Sequence, residues 1–216
     1  MKYRYLKNNR AVVTAASDDI STLAYTCPTF ANKAEYREWC AKDSTDHCFY
    51  SMAEGDSPNA RISTENPVNK IHGFVADFDD VPVDWNTIDQ VLKTRCDGSP
   101  MPTWRSKTYS GFVRLVWEFD SPLPIAPDIA PAFLKRLCDA LKASMLLGGF
   151  DKTSLKPSQY FEIGTDWTKI GDQIPINFAR TILLKAANDT PIRTSDTNVP
   201  LDEIAAEVLR KFPNRW

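Results

Sequence analysis

The chain has 216 residues, 43% of them hydrophobic and 25% charged, which is enough apolar material for a sizeable core and excludes an intrinsically disordered protein. Lys and Arg (26) almost balance Asp and Glu (28), leaving a net charge of -2, so any surface for a polyanion has to be local. The five cysteines, Cys27, Cys40, Cys48, Cys96 and Cys138, form no CxxC pair, which excludes a zinc ribbon or a redox motif; no apolar run approaches the roughly 20 residues of a membrane span, and the N-terminus has no signal-like apolar segment. A cytoplasmic protein with no membrane partner is expected.

In chain order, Asn32 and Glu35 have capping-box spacing ahead of Tyr36 and Trp39, which predicts a short helix over 32–42. Residues 51–70 are polar, with two prolines and a glycine, and read as a loop. An apolar strand follows over 71–77, then a helix over 84–95 with Trp85, Ile88, Val91 and Leu92 at helical spacing. Two strands, 102–109 and 112–120, flank Ser110-Gly111. In the second, Val113, Leu115, Trp117 and Phe119 alternate with Arg114, Val116 and Glu118, as expected of a strand with one well-buried face, and Pro122 and Pro124 are expected to stop it. The i, i+4 series Ile129, Phe133, Leu137, Leu141 and Met145 predicts a helix over 127–147 with its C-cap at Gly148-Gly149. A short strand near 160–163 comes next, then a linker over 190–200 and an amphipathic helix over 201–211. The predicted organisation is a domain over 1–189, with an N-terminal part to about residue 69 and a core from about residue 70, followed by a linker and helix over 190–216 leading to a further C-terminal region.

Three segments carry candidate chemistry. The first, GFVADFDD (73–80), ends an apolar strand with three carboxylates. Alternate side chains share a face, so Asp77 and Asp79 point the same way with Cα atoms roughly 6–7 Å apart. Their mutual repulsion is relieved by a hard divalent cation such as Mg²⁺ or Mn²⁺. Taken alone, Asp79-Asp80 reads first as the start of a polar turn before Val81-Pro82. The second segment, SKTYSGFVR (106–114), sets Lys107 and Arg114 around a glycine turn, a pattern that suits a triphosphate or a plain hairpin with solvated charges. The third runs from Gly148-Gly149-Phe150-Asp151 through Lys156 to Ile163-Gly164-Thr165, with Asp151 either a third metal carboxylate or a simple helix-exit residue.

In this order the segments resemble the archaeo-eukaryotic primase superfamily, in particular the primase-polymerase domains of phage and plasmid replication proteins. Asp77-Phe78-Asp79 matches the first motif, the Ser110-Gly111 turn and its strand the second, and Phe150-Asp151 with Ile163-Gly164-Thr165 the third, over roughly residues 70 to 167. The sequence departs from that pattern in having Arg114 where the family usually has His, and Glu162 where relatives often have Arg. The resemblance implies an α/β (α+β) fold, an RRM-like core of mostly antiparallel or mixed sheet with packed helices. It implies template-directed nucleotidyl transfer, as primase or DNA polymerase, in a bacterial, archaeal or phage-infected cell. Asp77, Asp79 and Asp151 would be catalytic and hold two divalent ions, Mg²⁺ or Mn²⁺. Lys107, Ser110, Arg114 and Lys156 would contact nucleotide phosphates, with Lys70 a weaker candidate. Partners would be single-stranded DNA template, primer, nucleoside triphosphates and a helicase in cis or in trans.

Other readings are weighed on the same residues. There is no GxxxxGK[ST], so a P-loop motor would have to lie elsewhere. Cys40, His47 and Cys48 lack usual zinc-ligand spacing, and zinc is not expected. A metal-dependent nuclease would use the same carboxylates. A catalytically inactive RRM-like binding module would stack bases on Phe74, Phe78, Trp104 or Trp117, although aromatics at strand spacing are more often core.

Overall fold

The computed structural model describes residues 3–7, 12–17, 19–20, 30–43, 46–47, 49–50, 52–58, 60–96 and 98–189. The linker and helix expected over 190–216 lie outside these residues, as do the side chains of Cys40, His47 and Cys48.

The architecture is α+β and centres on an antiparallel sheet. Its strands are β5 (Ala53–Gly55), β6 (Val68–Pro82), β7 (Trp104–Lys107), β8 (Phe112–Pro124) and β10 (Thr165–Lys169), in the order β10-β7-β8-β6-β5. Smaller sheets join β1 (Tyr3–Lys7) to β2 (Val12–Ser17) and β3 (Asp46–His47), and β4 (Phe49–Tyr50) to β9 (Phe161–Glu162). The helices are α1 (Lys33–Asp43), α2 (Trp85–Arg95), α3 (Ala130–Ala140), α4 (Ala143–Leu146) and α5 (Ile176–Asp189). Among the described residues no helix is long and apolar enough to cross a membrane.

The pleat of β6 and β8 sorts their side chains into two layers. Phe74, Ala76, Phe78, Leu115, Trp117 and Phe119 join one core with Leu92 of α2, Phe133 and Leu137 of α3, and Ile182 of α5. Val75 and Val116 join a second with Tyr3, Ile20, Met52, Phe161 and Ile163. The single buried face expected for β8 is therefore corrected: Arg114, Val116 and Glu118 are buried as well, beneath β1, β9 and Met52. Alternation between apolar and charged residues marks a solvated face only if nothing else in the chain covers it, and here the N-terminal segment does.

Three local expectations also change. Strand β8 continues through Pro122 to Pro124; Pro122 falls where the register shifts between Ile71–Leu123 and Gly73–Glu118, a break in the ladder where a missing N–H costs little. The helix expected over 127–147 divides at Lys142, whose φ of 53° is left-handed and incompatible with continuing the turn. The polar stretch before β6 contains β5 and is organised by Asn66, which accepts from the Ser57 N–H at 2.9 Å and donates to the Ser57 and Arg61 carbonyls at 3.0 and 3.1 Å. The predicted capping of α1 is present: Asn32 Oδ1 accepts from the Ala34 and Glu35 N–H groups at 3.0 Å, and the Glu35 carboxylate accepts from the Ala31 N–H at 2.8 Å.

Candidate active site

The end of β6 meets a segment more than seventy residues away in sequence. Phe78 bridges Phe150 in antiparallel fashion, the Asp79 N–H donates to the Gly149 carbonyl at 2.9 Å, and the Asp151 N–H donates to the Asp77 carbonyl at 2.9 Å. Gly149 makes this close approach possible, since its φ is +66° and a Cβ there would lie 2.8 Å from the Asp80 nitrogen. Asp77, Asp79 and Asp151 are thereby brought together.

Their surroundings differ. Asp77 stands opposite Arg114 in the β6–β8 register, and the two form a fork-to-fork pair: Nε to Oδ1 at 2.6 Å and Nη2 to Oδ2 at 2.9 Å. The Arg114 side chain is only 2% exposed and that of Asp77 14%. Nη1 of Arg114 donates to the Glu162 carbonyl and lies 3.5 Å from that of Ile163, while the guanidinium sits 5.4 Å from the centre of the Phe161 ring. The Glu162 side chain pairs with Lys33. Asp151 instead caps the 3₁₀ turn Lys152–Leu155, accepting from the Thr153 N–H at 2.9 Å and from the Thr153 hydroxyl. Asp79 is exposed, yet its carboxyl is held above the ordinary range, first by desolvation and then by the charges of Asp151, Asp77 and Asp80, against the opposing pull of Arg114.

Whether these carboxylates suit divalent ions depends on those partners. Among the described residues no group of three or more His, Cys, Asp or Glu is arranged to hold a metal ion. Asp77 has its counter-charge in Arg114. Asp151 has only neutral donors on its oxygens, and Asp79 carries a repulsion that a cation would relieve. Among the described residues Asp79 and Asp151 make no ion pair, whereas both oxygens of Asp77 are taken by Arg114, which does not suit a two-ion set shared with Asp77.

The residues expected to contact phosphate are divided among four places. Lys107 and Ser110 line one open cleft of about 360 Å³ together with Phe30, Asn32, Thr108 and Asp166. Its turn is closed by Gly111 N–H to Thr108 carbonyl and Thr108 N–H to Phe112 carbonyl bonds, both 2.9 Å, with Gly111 at φ +86°. Ser110 is exposed, and Lys107 Nζ lies 3.3 Å from Asp166. Arg114 is inside the sheet, turned to Asp77. Lys156 is exposed after the 3₁₀ turn and lines a different pocket with Gly73 and Phe161, while Lys70 lies 3.5 Å from Glu54. Two partners escaped the sequence reading. Thr153 was signalled by the Asp-x-Thr spacing of a side-chain cap. The Asp77–Arg114 pairing had no local signal, because it depends on the register of β6 against β8.

No family model and no curated protein matches the sequence. Among solved structures, the AEP domain of the cyanophage S-2L primase-polymerase (PrimPol) is similar to this chain with a TM-score of 0.44 and 17% identity, covering 70% of this chain and 77% of that one.

Proposed function

We propose that the chain is a metal-dependent nucleotidyltransferase that joins nucleoside triphosphates to a 3′-hydroxyl on a single-stranded DNA template, as the archaeo-eukaryotic primases do. The observation that carries this reading is the meeting of Asp77, Asp79 and Asp151 through the Phe78–Phe150 bridge, with Asp79 left exposed and electrostatically unrelieved. Asp79 and Asp151 would hold a divalent cation, which when bound supplies charge neutralisation for the triphosphate and activation of the attacking hydroxyl. Phosphoryl transfer depends chiefly on positioning and charge, so few other reactive groups are required. Lys107 would exchange Asp166 for a phosphate oxygen, Ser110 would donate its hydroxyl beside it, and the open cleft gives both access to solvent. Template and nucleoside triphosphates are the partners this activity needs, with a primer for extension and a helicase in cis or in trans as a further partner.

A second reading is favoured by one feature, the counter-charge already on Asp77: a domain that binds nucleic acid without chemistry. The two are separated by incubating the protein with single-stranded template, Mn²⁺ or Mg²⁺ and labelled nucleotides, with and without primer, beside Asp79→Ala. Metal-dependent elongation that the variant loses supports nucleotidyl transfer, and products without primer make it priming. Shortened DNA would mean a nuclease. A folded protein that binds DNA and incorporates nothing would establish the non-catalytic reading.

A further inference from the structure

We infer that Arg114 is a fixed cation built into the carboxylate site, so that Asp77 serves as its anchor and not as a metal ligand. The site then takes one divalent ion where the resemblance implies two. This rests on the nucleotidyltransferase reading of the same site.

The geometry leaves Arg114 little freedom to do anything else. A guanidinium has five N–H donors in a rigid fork. Nε and Nη2 are directed at the two oxygens of Asp77, and Nη1 at the carbonyls of Glu162 and Ile163. At 2% exposure the group is out of reach of a dissolved triphosphate, and the Phe161 ring packs against it. The Glu162 carbonyl that holds Nη1 belongs to β9, a strand held in place by its pairing with β4. A bidentate guanidinium–carboxylate pair has no net charge, so Asp77 offers a dication little attraction, and the guanidinium repels a cation placed beside it.

Asp151 behaves differently although its oxygens are also occupied. Its two partners, the N–H and hydroxyl of Thr153, are neutral, so the carboxylate keeps its full charge, and each oxygen keeps lone-pair capacity. Asp79 is exposed and lies close enough to Asp151 for mutual repulsion. The three acidic residues thus form two sets: Asp77 with its internal cation, and Asp79 with Asp151 for an external one.

The experiment is a Mn²⁺ titration of the full chain, followed by calorimetry and electron paramagnetic resonance, on the wild type, Asp79→Asn and the double variant Asp77→Leu/Arg114→Met. The wild type is expected to bind one Mn²⁺ more than Asp79→Asn, with an uncoupled spectrum. The double variant is expected to keep that ion with affinity within about twofold, the scatter of a site not directly altered. Should the double variant fail to fold, Arg114→His above the imidazole pKa serves instead. By releasing both oxygens of Asp77 it is expected to gain a second, spin-coupled Mn²⁺, and a count unchanged at one overturns the inference. Two coupled ions in the wild type, or loss of the ion from the double variant, also overturns it while leaving nucleotidyl transfer standing. A folded wild type that binds no Mn²⁺ overturns both.

Discussion

Arg114 and Glu118 lie on the same face of β8, four residues apart, and both are buried, but the molecule satisfies them in opposite ways. Arg114 is met by a full opposite charge on the neighbouring strand. Among the described residues Glu118 is met by donors from three separate segments: the Tyr3 hydroxyl of β1 and the Trp104 indole, at 2.9 Å, on Oε1, and the Gln173 amide, at 2.8 Å, on Oε2. One end of the face is an ion pair beside a candidate reaction centre. The other is a three-way staple that attaches the N-terminal strand to the sheet. A buried charge needs compensation in either case, and the Arg114–Asp77 pair changes the electrostatic balance of the carboxylates around it.

The most severe way to break this contrast is Arg114→Ala, which strands Asp77 without its cation. We expect a loss of about 3–5 kcal/mol in chemical denaturation, whereas replacing both partners with apolar residues of similar size should be nearly neutral. A comparable loss in both variants would show that packing, and not charge, holds this end of the face. At the other end, Glu118→Gln keeps the shape but sets an amide N–H₂ against one of its donors, and should cost about 1–3 kcal/mol. Glu118→Gln should also slow nothing in metal binding, which a Mn²⁺ titration would check.

The smallest effect sharpens the comparison with an exposed charge. Asp79 has its folded-state pKa raised above the ordinary value of 3.8, so its protonated form favours the native state. The stability it contributes is present in acid and is lost as the pH rises through its folded-state pKa. Asp79→Asn should therefore be more stable than the wild type at neutral pH, by no more than about 1 kcal/mol after solvent screening. That advantage should disappear as the pH falls below the ordinary carboxylate range. Melting curves across that range would show it, and an advantage independent of pH would mean that repulsion among Asp79, Asp151, Asp77 and Asp80 is not its source.

Much of this site was legible in the sequence where the signal is local. The strand carrying Asp77, which extends beyond the expected 71–77 to Val68–Pro82, the capping of α1 by Asn32 and Glu35, and α2 with Ile88 and Leu92 buried all follow from periodicity or from short-range hydrogen bonding. The arrival of Asp151 beside them was accessible only through the order of motifs. What was not legible depends on tertiary placement. Nothing within 112–120 announces that β1 and β9 cover its charged side, or that Arg114 falls opposite Asp77. The division of the 127–147 helix at Lys142 is equally silent in a pattern of well-spaced apolar residues.

The Phe78–Phe150 bridge also has a kinetic meaning. Two backbone bonds, Asp79 N–H to Gly149 and Asp151 N–H to Asp77, fasten the short segment that follows α3 and α4 onto the C-terminal part of a long central strand. Its closure spans a sequence separation of more than seventy residues, so bringing the carboxylates together carries the loop-closure entropy of a long intervening chain. Opening that one clasp would separate Asp151 from Asp79 while the β6–β8 ladder stays intact. Assembly of the site is thus a local event with its own free energy, written in the exchange rates of two amide protons.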